Sequence, residues 1–273
     1  GVDFRMGHRL VSLTGGKASF EGPDGEVKIQ ATAIILALGG GSWPQTGSDG
    51  AWVKTLEKAG VKVTPLAPAN CGWEVDWSPE VAEHLEAQPL KNVVASAGGK
   101  IAPGEIMLTR YGMEGGPLYA LGPVLRTMKD PLLTLDFKPT FTIEKLVSKM
   151  ESAKKNFLAE SQYRWKLSDS MRLILEHFHG PFLSAEHLAQ HAKACRIPLT
   201  KTRPIEEAIS SSGGVPWKTI NDQLMIKDLP GIFVAGEMID WEAPTGGYLL
   251  QGCFASGTRA AEAALAFKTS TSC

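Results

Sequence analysis

The chain has 273 residues, 43% hydrophobic and 21% charged, enough for one large globular domain or two to three smaller ones. Its formal net charge of −1, with 28 scattered Lys and Arg, excludes the concentrated basic surface that nucleic acid or an acidic membrane requires. Four widely spaced cysteines (Cys71, Cys195, Cys253, Cys273) without CxxC spacing exclude a disulfide framework and a zinc site, and fit a reducing cytoplasm.

The longest apolar run, Ala33 to Leu38, is far too short to span a bilayer, and no charged-then-apolar signal opens the chain. Gly1 reads straight into a strand-like pattern, which leads us to expect a truncated or processed piece.

Residues 1–30 read as short strands turned at Thr14-Gly15-Gly16 and at Glu21 to Gly25. The run Ala33 to Leu38, closed by glycines, has the pattern of a strand buried on both faces, as in a parallel sheet. Gly39-Gly40-Gly41-Ser42 forms a loop, and a helix follows from Asp49 to Ala59, stopped by Gly60.

From Val61 to Asp136, recurrent prolines and glycines separate short β-like pieces, the pattern of a mostly β insertion. From Thr142 to Cys195 the period is helical. Ile143, Leu146, Val147, Met150, Phe157 and Leu158 make one stripe behind a Thr142 cap, and Ser168 and Ser184 cap two further helices. Gly231 to Glu237 is another buried strand ending in glycine, and a last helix runs from about Leu249 to Phe267. The predicted domains are residues 1–60 and 200–273 as two parts of one α/β, partial Rossmann-like domain, 61–138 as a β-rich insertion, and 139–199 as a helical domain.

Two segments carry chemistry: Ala37 to Ser42, and Val234 through Asp240 into Gly246-Gly247-Tyr248-Leu249-Leu250-Gln251. Ligands of open α/β sheets sit outside the carboxyl ends of the strands, so paired glycine-tipped strands should face one crevice. Glycines let backbone approach a planar or phosphorylated ligand. The second loop feeds the start of the last helix, where N–H groups favour negative charge, such as that of a reduced flavin near N1. Glu237, at the strand end, has the position to accept hydrogen bonds from ribityl hydroxyls.

Ala37 to Pro44, Gly104 to Gly112, Ser212 to Val215 and Gly236 to Gly252, in that order, resemble the BaiN-like, aminoacetone-oxidase-like family of bacterial flavoproteins, of the glutathione-reductase-type superfamily. The resemblance spans nearly the whole chain. It implies an FAD-dependent oxidoreductase, with a split FAD domain, a β-rich insertion and a small helical domain, and NAD(P)H or a small organic molecule as hydride source. By position, Gly39, Gly40 and Ser42 match the loop after the strand passing the cofactor. Gly213, Gly214 and Val215 match a loop beside the isoalloxazine. Gly236, Glu237 and Asp240 match the ribityl and pyrophosphate segment, and Gly246, Gly247, Tyr248, Leu249 and Gln251 the turn over the flavin.

Such families open with a GxGxxG turn for the ADP pyrophosphate, and this sequence contains none. We therefore expect residues 1–273 alone to bind FAD poorly, with a preceding segment supplying the turn. Two alternatives stand beside the enzyme: a non-catalytic remnant acting as a binding module, and an RNA-modifying flavoprotein, which the absence of a basic face disfavours.

Arg110, Tyr111 and Glu114, on a Gly-flanked loop of the insertion, either bind a polar substrate or hold domains together. Trp43 either stacks near the ring or fills an interface. Cys253 reads as a small packing thiol more readily than a redox group, because no second Cys lies nearby in sequence. His187 and His191 are four apart on a helix, but no Glu follows His187, so the histidines read as core or solvated and no metal is expected. No catalytic acid or base stands out.

Overall fold

The computed structural model describes residues 1–271, with side chains through residue 267. Cys273 lies outside the described residues. The chain divides into two compact units, Gly1–Ala69 with the chain from Pro204 onward, and Asn70–Arg203.

The first unit begins with β1 (Arg9–Thr14), β2 (Lys17–Gly22), β3 (Gly25–Gln30), β4 (Ile34–Leu36), α1 (Trp52–Lys58) and β5 (Thr64–Ala69). The second contains β6 (Trp73–Glu74), α2 (Pro79–Leu85), β7 (Pro89–Ala97), β8 (Lys100–Thr109), β9 (Gly112–Glu114), α3 (Gly116–Leu125), β10 (Leu132–Asp136), α4 (Ile143–Ser148), α5 (Phe157–Arg164), α6 (Asp169–His179), α7 (Ala185–Lys193) and β11 (Cys195–Pro198). The chain returns to the first unit as β12 (Ser210–Gly214), β13 (Ile232–Val234) and α8 (Tyr248–Thr271).

In the first unit, β1, β2 and β3 form an antiparallel meander. Its period of two sends Leu13 and Ala18 inward, where they join Leu36, Trp52 and Leu56. Strands β4 and β13 pair in parallel, Ile34 opposite Ile232 and Leu36 opposite Val234. β13 is buried along its whole length, and Ala260, Ala263 and Ala264 of α8 belong to the same core. A third pair, β5 and β12, runs antiparallel from Ala69–Ser210 to Thr64–Gly214.

The segment Ala33 to Leu38 departs from the expectation of burial on both faces. Only Ile34–Leu36 is strand, and Ile35 is 40% exposed. Ile34 N–H donates to Gly231 and Leu36 accepts from Ala235. Alternation then turns the N–H and C=O of Ile35 to the opposite edge, where β4 has no strand neighbour among the described residues. The outer edge of β13 is covered instead, because Ile226 donates to Ile232 and Val234 donates to Leu224.

The second unit is built on a six-stranded sheet in the order β11-β10-β7-β8-β9-β6. One core runs through the sheet and its helices, from Leu90, Ile106 and Leu133 to Leu146, Ile174 and Leu188. The three predicted caps form: Thr142 Oγ1 accepts from Lys145, Ser168 Oγ from Met171 and Ser184 Oγ from His187. The single stripe drawn from Ile143 to Leu158 is in fact two helices. The chain breaks after α4 and restarts behind Asn156, whose left-handed φ of 54° a short amide side chain tolerates. The stretch expected to be mostly β also contains α2 and α3, two short helices carrying Pro at their starts.

The histidines form a packed aromatic cluster. His179 and His191 stack with centroids 4.2 Å apart, His187 meets His191 edge-on, and Phe182 packs on both His187 and His191. The N–H of Arg196 donates to His179 Nε2, which holds that nitrogen unprotonated. No group able to hold a metal exists among the described residues.

Burial first, and then the neighbouring imidazoles, hold His179 and His191 below the ordinary histidine range. The unfolded chain therefore binds protons first as pH falls below about 6.5, and stability should decline from there through the depressed native values. Melting temperature followed from pH 7.5 to pH 5 should drop, and His191→Phe should blunt the drop. An identical pH slope in that variant would contradict this origin.

Candidate functional site

The loop leaving β4 and the loop leaving β13 meet inside the first unit. Gly39 takes a positive φ of 74°, placing its carbonyl to accept from Trp52 Nε1 at 3.0 Å. The next residue sits against Glu237: a Cβ at Gly40 would stand 2.0 Å from Ser211 Oγ and 2.6 Å from the Glu237 carboxyl carbon. Gly40 is glycine because the opposite loop occupies that volume.

Ser211 joins the pieces. Its Oγ accepts the Gly41 N–H at 3.0 Å, while its own N–H and hydroxyl both donate to Glu237 Oε1, at 2.9 and 3.2 Å. It is 3% exposed, so these partners satisfy polar atoms that water does not reach. Sequence reading passed over Ser211. The one available signal was its place in the Ser210-Ser211-Ser212 run before the predicted Gly213-Gly214 loop.

The remaining residues of that loop are also close-packed. A Cβ on Gly213 would meet the Pro65 carbonyl at 2.2 Å, and one on Gly214 the Met238 carbonyl at 2.4 Å. Val215 donates to Met238 and accepts from Asp240, and Thr64 Oγ1 donates to the Asp240 carboxylate at 2.7 Å. Here the glycines serve backbone crossing over backbone, and Asp240 is turned to β5.

Gly236, with φ 78°, donates to Ser256 Oγ on α8 at 2.9 Å, which fixes the tip of β13 beside the early turns of that helix. Gly246 and Gly247 have φ of 107° and 88°, and a Cβ at Gly247 would meet nothing within 4 Å. Gln251 N–H is spent on the Gly247 carbonyl. The N–H groups of Tyr248, Leu249 and Leu250 belong to the first turn, where an α-helix offers them no partner. Cys253 packs beside Gly236, and burial, then the Glu237 charge, pushes its thiol up, which keeps it a weak nucleophile.

A cleft of about 540 Å³ lies along this junction, lined by Gly39, Gly40, Ser42, Trp43, Ile209 and Glu237 among others, a size that suits part of a small-molecule ligand. Trp43 is 46% exposed at its rim.

In the second unit, the Tyr111 hydroxyl donates to Glu114 Oε2 at 2.6 Å. Arg110 does not join them, because its N–H donates to Glu86 and its guanidinium lies 3.9 Å from the same carboxylate. The cation at Tyr111 is Arg203, 4.5 Å above the ring centroid. Nothing local in sequence identifies Arg203, which reaches this place through the pairing of its strand-like neighbour Thr202 with Trp73.

A family model described as HI0933-like protein Rossmann domain matches residues 1–263. A curated relative, the 3-dehydro-bile acid delta(4,6)-reductase of Clostridium scindens, is 26% identical over 88% of this chain and 64% of its own length. Similar solved structures include an open flavocytochrome c3 fumarate reductase, with 15% identity, TM-score 0.39, and coverage of 97% of this chain and 53% of that one. Another is the 3-ketosteroid-delta4-(5alpha)-dehydrogenase from Rhodococcus jostii RHA1 in complex with 4-androstene-3,17-dione, with 13% identity, TM-score 0.39, and coverage of 94% and 58%. The chain thus spans a little over half to just under two thirds of these proteins.

Adding a methyl at Gly40 should force Ser211 and Glu237 apart and cost about 1–3 kcal/mol, the usual range for overpacking. Urea unfolding of Gly40→Ala measures it. Combined with Ser211→Ala, which removes the clashing oxygen, the losses should be less than additive. Strict additivity would show that the two positions do not compete for space.

Proposed function

The chain belongs to the HI0933-like Rossmann-domain family, and on that premise we propose that it forms the greater part of an FAD-dependent oxidoreductase. The observation that carries this reading is the junction of the β4 and β13 loops, with Glu237 lining a cleft and the start of α8 held beside it by Gly236 and Ser256. The open backbone at Gly247 fits a flat ring, since nothing lies within 4 Å of where a Cβ there would stand. Gly39, Gly40 and Ser42 would border the cofactor from one side, and Glu237 would hold ribityl hydroxyls. Bound FAD would supply hydride transfer at its N5, and NAD(P)H is the reductant we assign to it.

The relative that reduces a bile-acid double bond supports an α,β-unsaturated ketone as the substrate class. Tyr111 and Glu114 are the substrate-side residues in this reading, and Arg110, tied to Glu86, contributes least.

We further assign the pyrophosphate-binding turn to polypeptide outside residues 1–273. The unpaired edge of β4, with Ile35 exposed, and the exposed Leu250, Phe254 and Leu265 on one side of α8 support that assignment. Together they offer a strand partner and an apolar helix face.

Full-length protein should purify yellow with a flavin spectrum, and Glu237→Ala should weaken FAD at least tenfold, about the loss of one charge-assisted hydrogen bond. Glu237→Gln, which still accepts from Ser211, separates cofactor contact from loop anchoring. Wild-type affinity in both variants would remove Glu237 from the site, and a colourless, flavin-indifferent protein would remove the cofactor.

A further inference from the structure

The second unit holds a cleft of its own, which the flavin reading does not use. Its volume is about 890 Å³, a size that takes a small organic molecule, and all its walls come from within residues 89–171. Val94, Pro103, Pro139 and Phe141 give it apolar surface that is not sealed in the core. Lys91, Lys138 and Lys166 line it too, against one carboxylate, Glu105. Among the described residues none of the three lysines is ion-paired, and Glu105 pairs with no cation. Acids on the flanking segments are already engaged, Asp136 with Lys193 at 2.6 Å and Asp169 with Arg172 at 2.9 Å.

Backbone, not a partner charge, places these lysines. Between the β7–β8 pairs Leu90–Ile106 and Val93–Gly104, Lys91 and Asn92 stand opposite the single residue Glu105. All three residues of this β-bulge line the cleft, and Asn92 takes a left-handed φ of 54° within it. Lys138 follows β10, where its N–H donates to Asp136 Oδ1 and its carbonyl accepts from Lys193 Nζ. Its own Nζ crosses to the turn between α5 and α6 and donates to the Lys166 carbonyl at 2.8 Å. Lys166 holds a left-handed φ of 55°, uncommon for a residue other than glycine and a feature that gathers at ligand clamps. An ammonium carries three donors, so two at Lys138 are left beyond that bond. Burial holds its pKa below the ordinary lysine range, the mark of a cation without a counter-charge. A fourth lysine, Lys149, stands 5.3 Å from the centroid of the Phe141 ring.

We propose that this cleft binds an organic carboxylate with an apolar body, its head on Lys138 and its body against Phe141 and the neighbouring prolines. The carboxylate supplies the counter-charge that Lys138 lacks, and Lys91 and Lys166 add longer-range attraction. A neutral ligand leaves the cations uncompensated, which selects for negative charge. A small inorganic anion leaves the apolar surface in water, which selects for a body. The site lies wholly within the second unit and does not depend on the flavin reading.

Isothermal titration of full-length protein with 2-naphthoate should show one saturable site that weakens as salt rises. 2-Naphthylmethanol, the ring without the charge, and acetate, the charge without the ring, should each bind about tenfold more weakly or worse. Lys138→Met should cost about tenfold, the worth of one charge-assisted hydrogen bond, whereas Lys138→Arg should keep most of the affinity. Lys91→Glu, on the exposed bulge, should weaken binding as well, and serves alone if Lys138→Met lowers the melting temperature. Lys100→Met, an exposed lysine outside the cleft, should bind as the wild type does. Wild-type affinity in both Lys138→Met and Lys91→Glu would overturn the site, as would equal binding of the alcohol. Binding lost in Glu237→Ala but kept in both lysine variants would move the carboxylate to the first unit's cleft and overturn it too. So would the absence of any saturable binding of 2-naphthoate.

Discussion

One buried serine holds the first unit's cleft together. Ser211 accepts from the loop after β4 and donates twice to the carboxylate after β13, so a single side chain bridges segments about two hundred residues apart in the chain. Buried polar atoms left without partners cost about 1–3 kcal/mol each, so the bridge defines the loop geometry as well as joining it. The close approach it permits is what requires Gly40, where no other residue fits. Gly41 and Glu237 are tied directly into that knot.

The glycines consequently do two different jobs. Gly40, Gly213 and Gly214 are demanded by neighbouring protein atoms, while Gly247 holds left-handed backbone in front of open space. The second kind marks where another molecule can approach, and it falls at the start of α8, where unpaired N–H groups and the helix dipole favour negative charge. Composition treats the two kinds alike.

The second unit brings its chemistry together by sheet pairing. β6 pairs with β9, and Trp73 bridges to Thr202, so Glu74, Tyr111, Glu114 and Arg203 become neighbours although they come from three stretches of chain. The same pairing sends Arg110 the other way, to Glu86. Arg110 and Tyr111 are the two residues of the turn between β8 and β9, and the bond from the Arg110 N–H to Glu86 holds Arg110 away from the Tyr111–Glu114 pair.

By itself the sequence determined the elements whose signals are local. Thr142, Ser168 and Ser184 announce their helices through one hydrogen bond three residues ahead, and the glycine-closed apolar runs announce β4 and β13. Order and spacing of the glycine loops also disclosed the family. The tertiary structure alone decided which polar residues meet: Ser211 with Glu237, Arg203 with Tyr111, and Asp240 with Thr64. It decided too that, among the described residues, β4 has a strand neighbour on one edge only. The division has a physical cause. Caps, turns and periodicity are written by residues a few positions apart, whereas a contact between distant side chains depends on register and packing that no local pattern encodes.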